Sequence, residues 1–160
     1  MNNRYDVIII GGGPAGLTSA IYVQRAGMKS IVIAGTVAGG QITQTTEIEN
    51  FPGFENPVSG FDLATRMINQ AKRLGAEITS EYATEIFIKK PFEVKTDTNN
   101  IYSARAVIIS TGASPRKLGI ESESKFLNKG VSYCATCDGF LYRGKTCLLY
   151  TSPSPRDRQK

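Results

Sequence analysis

Two cysteines separated by two residues, with an acid directly after the second, are the part of this sequence best suited to chemistry. They are Cys134, Cys137 and Asp138, within the segment SYCATCDG. This spacing is compatible with half of a zinc site, with a structural disulfide, or with a dithiol that carries electrons. In a redox dithiol, a thiolate attacks a disulfide, and a neighbouring carboxylate can supply or remove its proton.

The rest of the composition favours the redox interpretation over the other two. A structural zinc ion takes four ligands, whereas the chain has no histidine and only one further thiol, Cys147. A disulfide between Cys134 and Cys137 closes a very short loop and so restrains the unfolded chain little. Short disulfides of this kind are better suited to exchange in a reducing compartment. We therefore interpret the pair as a redox-active dithiol and expect no metal site.

The elements that must position this chemistry begin with a nucleotide-binding pattern near the N-terminus. The continuous apolar run Val7–Ile10 predicts a strand that is buried on both faces. A helix over residues 14–25 and a second parallel strand over residues 30–34 follow it. Between the first strand and the helix lies a glycine-rich turn, so the stretch as a whole predicts a βαβ unit.

The glycines of this turn have the G-x-G-x-x-G spacing, at Gly11, Gly13 and Gly16. The first glycine allows the tight turn, the second lets the backbone approach a pyrophosphate, and the third lets helix and strand pack closely. The N-terminus of the helix then offers its N–H donors to the anion. A glycine-rich turn without a ligand is the alternative.

One element of the usual nucleotide-binding pattern is missing from the second strand. Ala34 and Gly35 stand where an acid would ordinarily hold a ribose hydroxyl. We expect Thr36 or the backbone to make this contact instead.

The segment of residues 34–54 is rich in Gly, Thr and Asn, and we interpret it as a long loop that contacts the ligand. A solvated connection is the alternative. Gly39 and Gly40 allow close backbone approach. Neutral hydrogen-bonding groups are supplied by Gln41, Thr45, Thr46 and Asn50.

The remaining pattern predicts a helix over residues 61–74, a strand directly after Gly75, and short strands within 84–104 that form a small antiparallel unit. Val107–Ile109 then predicts another buried strand, which ends in a tight turn of small residues. The predicted fold class is α/β: a Rossmann-like nucleotide-binding domain with a parallel sheet and a small antiparallel meander.

Size and charge exclude several classes of protein. The 160 residues suit a globular domain, and no apolar run is long enough to span a membrane. The N-terminus lacks a secretory signal pattern, so we expect a cytoplasmic location. The net charge of +5 comes from scattered Lys and Arg without a basic face. We therefore expect no binding to nucleic acid or to a membrane.

Five motifs together resemble the low-molecular-weight thioredoxin reductase family, over residues 5–146. In chain order they are GGGPAG, GGQ, ENFPG, ISTGA and CATCDG. The resemblance implies a homodimeric enzyme that passes electrons from NADPH through FAD to the cysteine pair and on to thioredoxin. It also implies that Cys137 faces the flavin, that Cys134 attacks the thioredoxin disulfide, and that Asp138 is the general acid.

The resemblance further implies an α/β, Rossmann-like FAD-binding domain of the three-layer ββα type, and it implies where FAD would bind. The glycine-rich turn would hold the pyrophosphate, and residues 35–41 would line the adenosine and flavin. Asn50 would lie near the isoalloxazine, the backbone around Ala83 would meet the adenine, and residues 111–113 would complete the site. The residues concerned are Gly11, Gly12, Gly13, Pro14, Ala15, Gly16, Gly35, Thr36, Gly39, Gly40, Gln41, Asn50, Ala83, Thr111, Gly112 and Ala113.

Composition changes abruptly near the end of the chain, which predicts three regions. Residues 1–115 would be the N-terminal part of the FAD domain, and 116–146 the connection and the start of an NADPH domain that carries the cysteines. We interpret residues 147–160 as an adapter-derived, non-native and disordered tail, because the stretch Cys147–Asp157 resembles a translated sequencing-library adapter and the segment is rich in Ser, Pro and Arg. A genuine divergent tail is the alternative. The rest of the NADPH domain would then be missing. Two alternative functions are a non-catalytic FAD-binding fragment and a related flavin dithiol oxidase or peroxiredoxin-linked reductase.

Overall fold

A computed structural model describes residues 3–127 and 129–148, with only the backbone described for Thr136 and Cys137. The chain divides into two compact units, the first ending at Ala113 and the second beginning at Ser114. The predicted tail lies outside the described residues from position 149 onward, and its origin stays a prediction. In the described part of the chain, no helix is both long and apolar enough to cross a membrane.

The first unit is built on a six-stranded sheet in the order β3-β2-β1-β6-β5-β4. Two helices connect its first three strands. The elements are β1 (Arg4–Ile10), α1 (Pro14–Arg25), β2 (Ser30–Ile33), α2 (Gly60–Arg73), β3 (Glu77–Thr79), β4 (Ala83–Phe87), β5 (Phe92–Thr96) and β6 (Ile101–Ile109).

The parallel half of the sheet confirms the predicted βαβ pattern. β1 lies in the centre and pairs in parallel with both β2 and β6, while β3 pairs in parallel with β2. On one face, Val7 and Ile9 pack with residues of both helices, including Leu17 and Met67. α2 begins at the cap residue Ser59, whose hydroxyl accepts a hydrogen bond from the Asp62 N–H. The helices therefore cover one face of β1.

The antiparallel half covers the other face. Ile8 and Ile10 of β1 pack with Ile31 of β2 and with Val94 and Tyr102 of the antiparallel strands. The side chains of β1 alternate between the two clusters, as the pleat of a strand requires. Helices, parallel strands and antiparallel strands thus pack in succession, which confirms the predicted α/β, Rossmann-like fold class.

One prediction about this part of the fold was wrong. The sequence suggested an antiparallel unit with its own third strand, followed by a separate buried strand at Val107–Ile109. The structure has one continuous strand, β6, whose first residues pair antiparallel with β5 while most of its length pairs in parallel with β1. The end of this strand is not buried either, because Ile109 is 68% exposed.

A buried carboxylate holds the antiparallel half together. Glu81, just before β4, is 9% exposed and accepts hydrogen bonds from Tyr102 (2.8 Å), Thr98 and Asn100. Burial raises the pKa of this carboxyl, but these hydrogen bonds together outweigh burial, so that the net pKa lies below the ordinary 4.5. The carboxylate therefore stays charged in the folded state.

Substituting Glu81 with glutamine should destabilise the first unit by about 2 kcal/mol at neutral pH, because the amide nitrogen faces hydrogen-bond donors. A depressed folded-state pKa contributes stability that is present above the unfolded value and is lost as pH falls through the folded value. Urea unfolding at several pH values measures this. The difference between wild type and Glu81→Gln should shrink at acid pH. The exposed Glu85, paired with Lys95 at 3.6 Å, provides a control: Glu85→Gln should change stability little, and an equal effect there would contradict the prediction.

Candidate active site

The turns at the carboxyl ends of β1, β2 and β6 come together at one edge of the sheet. The Gly11 N–H donates to the carbonyl oxygen of Ile33 (2.9 Å), and the Ser110 N–H donates to that of Ile10 (2.7 Å). The Ser110 hydroxyl also donates to the Ile10 carbonyl (3.0 Å). Ligands in open α/β sheets bind outside this edge of the parallel strands, which makes it the candidate cofactor site.

The turn between β1 and α1 has no room for side chains at two of its glycines. Gly11 has a φ of +109°, and a Cβ there would lie 2.1 Å from the carbonyl oxygen of Ser110. A Cβ at Gly16 would lie 1.9 Å from the carbonyl oxygen of Gly11. Contacts this short cannot form, so these two glycines allow the turn and the close packing of helix and strand.

Gly13 differs from these two glycines, because its α-carbon faces open space. The nearest atom to a Cβ there would be the Gly40 α-carbon at 4.0 Å. Gly13 is also the N-cap of α1, with Pro14 following it, no side-chain cap and no acid in the first turn. The first N–H groups of a helix need an acceptor. This cradle therefore fits a pyrophosphate group, as a dinucleotide such as FAD carries.

The loop after β2 packs directly on this turn. The Gly39 N–H donates to the carbonyl oxygen of Gly12 (2.8 Å), and a Cβ at Gly40 would lie 2.9 Å from the Gly13 α-carbon. A short 3-10 helix, Gly40–Gln44, begins at this contact. The loop is thus ordered against the glycine turn, as the ligand-contacting interpretation requires.

Gln41 connects this loop to the turn after β6. Its side-chain amide donates to the carbonyl oxygen of Ala113. Thr111 and Gly112, which precede Ala113, are exposed. The structure therefore brings three predicted segments together: residues 11–16, 39–41 and 111–113.

Tyr82 joins the site although the sequence analysis did not select it. Its hydroxyl lies 2.8 Å from the Thr36 Oγ1, and its ring lies against Gly35, where a Cβ would be 2.8 Å from the ring. The Gly35 N–H donates to the Glu81 carbonyl oxygen (2.9 Å). A hydroxyl pair thus stands beside the position where the usual acid is missing. Tyr82 lies more than forty residues away in sequence, so no local pattern signals this contact.

Two further predicted cofactor residues, Asn50 and Ala83, take no part in the contacts described above. Asn50 is exposed, in the loop after Ile48, which is itself buried and bridged to Val58. Ala83 begins β4, where it pairs with Thr96. Their proposed contacts with the isoalloxazine and the adenine stay predictions.

The second unit contains α3 (Glu121–Phe126) and the four-residue α4 (Ala135–Asp138), which begins directly after Cys134. The Asp138 N–H donates to the Cys134 carbonyl oxygen (2.9 Å). Cys134 and Asp138 are both half-buried. The backbone therefore places the acid one helical turn after the first cysteine, while the side chain of Cys137 lies outside the described set.

Ser132 is a second residue that sequence reasoning missed. Its hydroxyl donates to the Asp138 carboxylate (2.6 Å) and accepts from the Cys134 N–H (3.1 Å). A serine two residues before a cysteine carries no recognisable signal, because serine is common in turns of every kind.

Glu123 of α3 fixes the backbone beside the cysteines. It is 4% exposed and accepts from the N–H groups of Leu118 and Gly119 (both 2.9 Å) and from the Tyr133 hydroxyl (2.8 Å). The Leu118 N–H holds the pKa of the Glu123 carboxyl below its usual value, with Tyr133 and Gly119 assisting. The hydrogen bond between the Tyr133 hydroxyl and the Glu123 carboxylate raises the pKa of Tyr133. Tyr133, between Ser132 and Cys134, is thereby anchored.

The sequence matches one family model over residues 5–148, that of the pyridine nucleotide-disulphide oxidoreductases. The chain therefore belongs to this family. Within it, the thioredoxin reductase of Rickettsia conorii is 51% identical over 144 residues, and that of Buchnera aphidicola is 47% identical over 143. The crystal structure of thioredoxin reductase from Streptococcus pyogenes superposes with a TM-score of 0.78 at 38% identity.

Each of these comparisons covers 89% of this chain, but only 44–46% of the relative. The resemblance to thioredoxin reductases is thus confirmed over most of the chain. The chain spans less than half the length of these relatives.

Proposed function

We propose that this chain is the flavin-binding and dithiol-bearing part of a thioredoxin-disulfide reductase. The whole protein would pass electrons from NADPH through FAD to the Cys134–Cys137 pair and on to thioredoxin. The observation that carries the proposal is the convergence of residues 11–16, 39–41 and 111–113 around an open, uncapped helix N-terminus. This geometry supports a dinucleotide cofactor, and the CATCDG motif supplies the dithiol.

The chain's own groups have separate tasks at the cofactor site. The first N–H groups of α1 would bind the pyrophosphate, with Gly13 allowing its close approach. Thr36 and Tyr82 would hold the adenosine ribose through their paired hydroxyls. Gln41 would keep the turn at Ala113 closed on the remainder of the ligand. When bound, FAD supplies the two-electron chemistry that joins a nicotinamide to a disulfide.

At the dithiol, the reaction is an exchange of sulfur–sulfur bonds. The Cys134 thiolate attacks one sulfur of the thioredoxin disulfide, that bond breaks, and the second thioredoxin sulfur leaves as a thiolate that takes up a proton. Cys137 then attacks Cys134, which releases reduced thioredoxin and leaves a Cys134–Cys137 disulfide. Asp138 supplies or removes the protons. Two electrons move from the dithiol to thioredoxin, so the step is balanced.

We further propose that the whole protein is a cytoplasmic homodimer, as the sequence analysis predicted. A flavin dithiol oxidase or peroxiredoxin-linked reductase is the second candidate, because the fold and the dithiol alone do not specify the electron acceptor. The third is a chain that binds FAD without catalysis.

Reconstitution separates the three candidates. The purified 160-residue chain is mixed with FAD, freed of excess ligand and examined for flavin absorbance, then supplied with NADPH and oxidised thioredoxin. We expect bound flavin, and thioredoxin thiols only when the remaining half of a relative is joined to the chain. Consumption of oxygen or peroxide in place of thioredoxin reduction would favour the oxidase. A chain that binds no FAD in either form would contradict the proposal.

A further inference from the structure

We propose that Ser132 is a positioning residue for the dithiol reaction: its hydroxyl fixes the Asp138 carboxylate relative to the backbone of Cys134. This inference rests on the proposed function and deepens it. It assigns a task to a residue that touches neither FAD nor thioredoxin in the scheme above.

The hydroxyl of Ser132 contacts both functional neighbours at once. Its proton is directed to the Asp138 Oδ2, because that distance is 2.6 Å, whereas the Cys134 carbonyl oxygen lies at 3.4 Å. Its oxygen simultaneously accepts the Cys134 N–H at 3.1 Å. A single side chain therefore joins the backbone of the attacking residue to the proton-carrying carboxylate.

The contact between Ser132 and Asp138 is important because the helix that carries Asp138 is short. α4 has only four residues, and a single turn is marginal without other restraints. Together with the backbone bond between Asp138 and Cys134, the contacts to Ser132 hold the acid to the segment before the helix. A charge-assisted hydrogen bond of this length is among the stronger ones.

The segment that carries Ser132 is itself anchored. Tyr133, its neighbour, is bonded to the buried Glu123, which in turn holds the N–H groups of Leu118 and Gly119. The serine hydroxyl thus acts from a fixed support, as positioning of a catalytic group requires. Loss of the hydroxyl would free the carboxylate while leaving this support in place.

The test measures the reactivity of Cys134 alone. In the 160-residue chain with Cys137→Ser and Cys147→Ser, the Cys134 thiolate displaces one sulfur of oxidised thioredoxin and forms a mixed disulfide, whose rate is followed by mass spectrometry. We expect Ser132→Ala to slow this step about tenfold, as partial loss of acid–base assistance would. Ser132→Thr, which keeps the hydroxyl, should restore most of the rate. Ser124, an exposed serine bonded to the Glu121 carbonyl, is the matched control, and Ser124→Ala should have no effect.

A second background distinguishes positioning from a general structural role. When Asp138→Asn is already present, Ser132→Ala should cause no further loss, because the group that it positions is no longer a carboxylate. An equal loss in both backgrounds, no rescue by threonine, or no effect of either substitution would overturn the inference. The proposed function fails by a different result, namely the absence of any mixed disulfide in the chain that retains Ser132 and Asp138.

Discussion

Replacing Cys134 with serine is expected to slow the reduction of a protein disulfide by this chain at least about 10³-fold. The reason is chemical: a thiolate is the attacking species, and a serine hydroxyl does not ionise near neutral pH. The measurement uses chain that has been reduced with excess dithiol and freed of reagent. It is then mixed with oxidised thioredoxin, and the thioredoxin thiols are counted over time.

Two control variants separate the role of Cys134 from the roles of the other two cysteines. Cys137→Ser should stop the reaction one step later, at a covalent mixed disulfide, because the second thiol is needed to resolve it. Cys147, which is exposed and outside the motif, should be dispensable, so Cys147→Ser should keep the wild-type rate. Unchanged reduction by the Cys134→Ser chain would refute the dithiol assignment.

Alanine at Gly16 is expected to destabilise the chain, whereas alanine at Gly13 is expected to leave it folded but weaken its binding of FAD. At Gly16 the new Cβ would lie 1.9 Å from the Gly11 carbonyl oxygen and 2.8 Å from the Ser110 Oγ, so the turn must move and stability should fall by about 3 kcal/mol. At Gly13 the Cβ meets no protein atom closer than 4.0 Å. That variant should remain folded, within about 1 kcal/mol of wild type.

Affinity for FAD, measured separately from stability, is the quantity that Gly13→Ala should change. The Cβ at Gly13 projects into the space where the pyrophosphate would approach, so FAD affinity should fall at least about tenfold in a folded protein. Urea unfolding and fluorescence titration with FAD measure the two quantities independently. If the Gly13→Ala chain binds FAD like wild type, the assignment of the pyrophosphate site to this turn is wrong.

The parallel half of the fold could be predicted because its signals are local and strong. A continuous β-branched run, three spaced glycines and a proline define β1 and the start of α1 within ten residues. The extent of β6 could not be predicted in this way. No glycine or proline separates Ile101 from Ile109, and the strand changes from antiparallel to parallel partners along its length. Such a change is a property of the neighbouring strands, which the residues of β6 do not encode.

The site shows the same division between local and distant signals. The spacing of the glycines predicts which of them allow close backbone approach, and the structure places Gly13 and Gly40 in contact. Tyr82 and Ser132 are found only from geometry, since a tyrosine after an acid and a serine in a turn have no distinctive pattern. The contact of Asn50 with the isoalloxazine stays a prediction, because a polar residue type in a loop does not determine where its side chain lies.

The most direct test of the central claim is to trap the exchange with a protein disulfide. The chain with Cys137→Ser and Cys147→Ser is reduced, incubated with oxidised thioredoxin, and analysed by intact mass and peptide mapping. The account predicts one covalent adduct with the mass of chain plus thioredoxin, linked through Cys134 and released by dithiol. No adduct under these conditions, with Cys134 still titrating as a free thiol, would contradict the account.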